Sequence, residues 1–102
     1  MDKNTFCRII TESNSSYKFL GAPDGFWISG EGVGFLPIDE MSNNYKKNCI
    51  EYLKKHRDGI RCGNFLNGID VEELKLTESD IEDLYKFATE AVDEKIKQLK
   101  NI

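Results

Sequence analysis

Three observations predict an α+β fold. The block SYKFLGAPDGFWISGEGVGFLPI, over 16–38, is rich in aromatic and β-branched residues broken by turn signals. Two stretches with apolar residues at three- and four-residue spacing follow it. The chain has 102 residues, 39% of them hydrophobic and 31% charged, which suits one soluble domain over 1–102. The predicted architecture is a small antiparallel three-stranded β-meander followed by two helices, the last one long.

Before the meander, Phe6, Ile9 and Ile10 fall close to helical spacing, and either a short helix or a strand fits residues 4–12. Tyr17, Phe19 and Leu20 form the first candidate strand. The Ala22-Pro23-Asp24-Gly25 turn follows, with Pro23 presetting φ and Gly25 free to take φ > 0. Phe26 to Ile28 is the second strand, Ser29 to Gly32 a turn, and Val33 to Ile38 the third strand, where Gly32-x-Gly34 marks a bulge or a close backbone approach. Phe26 and Trp27 are adjacent on a strand, so they face opposite sides, one toward the core and the other exposed, or covered by a helix or a second protomer.

The next predicted helix covers about 40–56. Asp39 or Ser42 caps it, and Met41, Tyr45, Cys49 and Leu53 form its apolar stripe, widened by Ile50. Lys46, Lys47, Lys54 and Lys55 are assigned to other faces, and Asp58-Gly59 to its end, with glycine as the left-handed cap. Residues 57–70 read as a loop dense in Gly and Asn, anchored by Ile60, Phe65, Leu66 and Ile69, with a short strand at Ile60 to Cys62 as an alternative. Thr77 caps the last helix, over about 77–100, with acids in its first turn and lysines at its end. Its broad apolar surface, including Tyr85 and Phe87, predicts a homo-oligomer.

The charge pattern narrows the function. Net charge is −4, which argues against dedicated nucleic-acid binding. Residues 42–61 are nonetheless basic (Lys46, Lys47, Lys54, Lys55, Arg57, Arg61), and residues 70–94 strongly acidic; the two segments complement each other, present solvated faces, or bind partners. No apolar run is long enough to span a membrane. The N-terminus lacks a signal-peptide pattern. The three cysteines include no CxxC pair and point to free thiols in the cytoplasm. His56 is the only histidine, one residue short of a His-based metal site, and Gly30-x-Gly32-x-Gly34 does not stand at a strand-to-helix turn. A Cys62–His56 nucleophile pair has no third, orienting residue. No enzyme, metal site or cofactor is predicted.

Binding is the remaining class. Arg57, Arg61, Asn64, Phe65 and Asn67 are the candidate ligand residues: two guanidinium forks suit phosphate, and a ring with amide edges suits a base. The structural alternative has Phe65 in the core, the asparagines in turns and the arginines in solvent. Two arginines and one ring are too few for the nanomolar affinity, about −12 kcal/mol, that sequestration needs, so the pocket is expected to be shared between protomers.

The run from Trp27 to His56 resembles a pattern in many small phage and prophage proteins: a Trp-led hairpin, an Ile-x-Asp/Glu-Met step, then a helix bearing an aromatic or His, an Asn and a leucine stripe. Here these are Trp27, Ile38, Glu40, Met41, Tyr45, Asn48, Ile50 and Leu53. Tyr45 stands where His is common, and the hairpin is unusually Gly-rich. The organisation is also similar to phage anti-defence sponge proteins that sequester cyclic nucleotide signals, such as the Thoeris anti-defence family. The resemblance implies a phage or prophage protein in the cytoplasm of a bacterial host. It implies action by binding, as an oligomeric sponge for a small cyclic nucleotide. The alternative is an inhibitor of a host defence protein or CRISPR nuclease that uses the acidic last helix.

Overall fold

The computed structural model describes residues 1–13, 17–28 and 35–100. Its elements are α1 (Lys3–Glu12), β1 (Phe26–Ile28), β2 (Phe35–Pro37), α2 (Asn43–Arg61) and α3 (Glu78–Lys100), with 3₁₀ turns at Lys18–Gly21, Ile38–Glu40 and Asn64–Leu66. The fold is α+β, as predicted, but the sheet has two antiparallel strands among the described residues, not three.

The missing strand is the Tyr17–Leu20 segment. Tyr17, Phe19 and Leu20 are all buried, whereas a strand would send alternate residues to opposite faces. A 3₁₀ turn brings them inward together. It is seated by Gly21, where a Cβ would come within 2.5 Å of the Thr11 methyl on α1. The Ser29 turn and the Gly32-x-Gly34 pair lie outside the described residues.

Residues 4–12 resolve as helix. Asp2 caps α1 by accepting the Thr5 amide at 2.7 Å, and Phe6, Ile9 and Ile10 point inward. The Pro23–Phe26 turn closes with the Phe26 amide donating to the Pro23 carbonyl (3.0 Å), and Gly25 takes φ +84° as expected. β1 and β2 pair Phe26 with Pro37, Trp27 with Leu36 and Ile28 with Phe35. Trp27 is the inward aromatic and stacks on Phe19 at 5.5 Å; Phe26 is the outward one. The Ile38 amide donates to the Gly25 carbonyl (2.9 Å). Phe26–Pro37 is therefore a non-hydrogen-bonded pair, and the Pro37 nitrogen faces the outer edge of β2.

Ser42, not Asp39, caps α2, accepting the Tyr45 amide at 3.1 Å. The helix runs five residues past the expected end, through 57–61, so neither a loop nor a strand begins there. Gly59 does not terminate it. It is a notch for Tyr17, whose hydroxyl would lie 1.8 Å from a Cβ at that position. The left-handed cap is Gly63, at φ +86°, with its amide donating to the Ile60 carbonyl. Lys46, expected on an outer face, is buried, because it stands on the same side of α2 as the buried Cys49 and Leu53.

α3 begins with a reciprocal cap: the Thr77 hydroxyl accepts the Asp80 amide (3.1 Å) and the Asp80 carboxylate accepts the Thr77 amide (3.0 Å). Leu84, Ala88, Val92 and Leu99 are buried against α1, α2 and the Lys18–Gly21 turn. Tyr85 and Phe87 are half-buried; Phe87 meets Phe6 at 5.8 Å. The apolar surface that predicts oligomerisation through α3 is thus largely covered inside the chain.

Lys95 stands in the buried stripe of α3, only 3% exposed. Its ammonium donates to the carbonyls of Pro23 (2.7 Å) and Phe26 (3.0 Å) and to Gln98 Oε1 (3.3 Å). Gln98 in turn accepts the Gly25 amide and donates to Asp24. Two residues one turn apart therefore fasten the hairpin's entry turn to α3. Burial pushes the Lys95 pKa down, and Asp24 partly offsets it.

Candidate functional site

Extending α2 through Arg61 places Arg57 and Arg61 one turn apart beside α3. Together with Ile60, Thr89, Val92 and Asp93 they line a groove of about 180 Å³. Arg57 is not free in it: its guanidinium donates to Asp93 at 3.0 Å. Arg61 is the open one, three-quarters exposed, with Asp58 at 3.9 Å, beyond hydrogen-bond range.

The other three predicted residues do not join the groove. Asn64 and Asn67 are exposed on the following 3₁₀ turn. Phe65 is fully buried, edge-on to Tyr85 (5.1 Å) and Tyr17 (6.5 Å). No ring face remains for a base, and the core role replaces the stacking role. Three amides of the turn are already engaged: those of Leu66, Asn67 and Ile69 donate to the carbonyls three residues back. A groove of this volume accommodates a phosphate-sized group, below the roughly 300 Å³ at which ligand pockets for whole small molecules begin.

The cysteines are all free thiols, Cys7 half-buried, Cys49 buried and Cys62 exposed. Burial pushes Cys49 up to about 11. His56 lies between Tyr52 (ring centroids 4.0 Å apart), Tyr17 and Phe19, and its Nδ1 donates to the Tyr52 carbonyl at 2.7 Å. That bond assigns the proton to Nδ1, since a carbonyl only accepts. Among the described residues no group of His, Cys, Asp and Glu is arranged to hold a metal ion, and no helix is long and apolar enough to cross a membrane.

Two exposed aromatic surfaces stand apart from the groove. The outer face of the hairpin exposes Phe26 and Phe35, their rings 6.3 Å apart. One flank of α2 exposes Tyr45 and Tyr52, two turns apart. Period-two alternation around Trp27 pointed to the first. Tyr45 was absorbed into an apolar stripe whose centre lies nearer Cys49 and Leu53. No protein-family model matches the chain, and neither a curated protein nor a solved structure matches it.

Proposed function

We propose that this chain acts by binding a macromolecule, as a phage or prophage protein that inhibits a host defence protein through the acidic outer side of α3. The carrying observation is the form of that helix. It has 23 residues, about 34 Å of rigid rod. Its inner side is locked to α1 and α2, and Glu78, Glu82, Glu90 and Glu94 are all exposed. None of these four forms an ion pair among the described residues. These carboxylates, with Lys86 exposed among them, spread over the outer side of one rigid rod and leave it net acidic, which complements a basic protein surface, including one that binds nucleic acid, and costs little entropy on docking. The test is affinity capture from host lysate at low and high salt. A stoichiometric partner is expected, released by salt and lost with Glu82→Lys/Glu90→Lys. A partner retained by that variant refutes the reading.

The shared groove of Arg57 and Arg61 favours a second reading, the sponge for a cyclic nucleotide signal. One protomer supplies a single open guanidinium there, so a sponge requires a second protomer to complete the pocket. Incubation with cyclic ADP-ribose isomers and cyclic oligonucleotides, then release by heating, tests it. No depletion of any of them removes this reading.

A further inference from the structure

We propose that the outer face of the hairpin docks on the Tyr45–Tyr52 flank of α2 in a second copy of this chain, reciprocally, to form a two-fold dimer. Four residues of the hairpin, Phe26, Ile28, Phe35 and Pro37, share that outer face by register, while Trp27 and Leu36 take the inner one. Phe35 is 55% exposed and Phe26 36%. Tyr45 and Tyr52 are exposed to a similar degree, 37% and 39%. These four are the exposed large aromatic rings among the described residues, and they fall into two pairs on two different elements.

Charge decides how the pairs combine. At the Phe26–Pro37 end Asp39 and Glu40 are exposed beside the hairpin face, next to Asp24, which accepts from Gln98 of α3. Stacking two hairpin faces on each other would bring these carboxylates together. The tyrosine flank of α2 instead carries Asn48 between its rings and Lys55 beside Tyr52, both exposed, while Glu51 at its border pairs with Lys54 (3.7 Å) and one side of the Tyr52 ring packs on Phe19 (5.1 Å) of its own chain. Phenol hydroxyls, the amide and the ammonium are all donors to carboxylates. An acid-rimmed phenyl pair thus meets a donor-edged phenol pair, and cation–π contact from Lys55 adds to it.

Area sets the symmetry. A phenylalanine presents roughly 150–250 Å² when fully exposed, so the two hairpin rings leave about 150–200 Å² open. A stable interface buries about 800 Å² per partner. One hairpin-on-helix contact falls well short. A two-fold arrangement uses both patches of each protomer at once and doubles the aromatic contact to about 300–400 Å² per partner, the scale of a weak dimer. This surface is distinct from the acidic side of α3, so the dimer stands or falls independently of the target proposed above.

Sedimentation velocity over a concentration series tests it, with circular dichroism confirming that each variant is folded. The wild type is expected to dimerise by high micromolar concentration. Phe35→Glu and Tyr45→Glu are each expected to weaken the dimer by at least tenfold. Asp39→Lys reads the same contact through charge alone and is expected to weaken it while leaving the apolar face intact. A wild type that stays monomeric overturns the proposal, as does a Tyr45→Glu or an Asp39→Lys chain that dimerises like the wild type.

Discussion

Replacing Lys95 by methionine removes an ammonium that holds the Pro23 and Phe26 carbonyls while keeping most of the buried stem. Each carbonyl that loses its partner costs about 1–3 kcal/mol when water cannot replace it. Pro23 and Phe26 are exposed as residues, so water recovers part of that cost. The variant also no longer desolvates a charge, the effect that pushes the Lys95 pKa down. Both offsets place the expected loss near the lower end, about 2–3 kcal/mol. For a domain of this size that lowers Tm by about 10–20 °C, at 4–8 °C per kcal/mol. Thermal unfolding by circular dichroism measures the total. Trp27 emission isolates the local part, because Trp27 lies one residue past the carbonyl that Lys95 holds. Emission shifted to the red before global unfolding is the expected sign of a hairpin released from α3. A Lys95→Met chain as stable as the wild type, with unchanged Trp27 emission, would show that the ammonium fastens nothing.

Three further outcomes follow from the packing and the caps. Gly59→Ala should destabilise by about 1–3 kcal/mol in urea unfolding, because the new methyl collides with Tyr17; an exposed helix interior would gain up to about 1 kcal/mol from the same change. Phe65→Ala should cost about 3–5 kcal/mol, whereas Arg61→Ala should stay within about 0.5 kcal/mol, as denaturant midpoints at constant m will report. Hydrogen bonds from Thr77 hold the Asp80 carboxyl below its ordinary 3.8. Its contribution is therefore complete above pH 3.8 and lost as pH falls through the lowered native value. Asp80→Asn should flatten that acid limb of the stability curve, read from melts between pH 2 and 5.

Features set by local chemistry were legible in the sequence. Thr77 at the start of α3, Ser42 as one of two candidate caps and Gly25 at positive φ each depend on a few neighbouring residues. Features set by distant partners were not. Tyr17, Phe19 and Leu20 have the composition of a strand, but three helices and a tryptophan draw all of them inward. Gly59 and Gly63 look equivalent as helix stops, and only the position of Tyr17 separates notch from cap. Lys95 falls on the buried stripe of α3 by spacing, yet no neighbouring residue announces that the Pro23 turn supplies its acceptors. The candidate site divided on the same line. Arg57 and Arg61 sit together because helical periodicity carries them there, while Phe65 was lost to the core and Asp93 claimed Arg57 from across the α2–α3 contact.

Pro37 carries a consequence for how this protein avoids the wrong kind of growth. A two-stranded sheet leaves an open flank on which a stray strand can template. At that flank Pro37 offers a ring where an incoming chain needs a donor, so lateral extension stalls after the Phe35 amide. Copies are thereby hindered from edge-to-edge strand addition along β2 of the hairpin, one route to fibrils. Its broad aromatic side stays open for a contact that closes on itself.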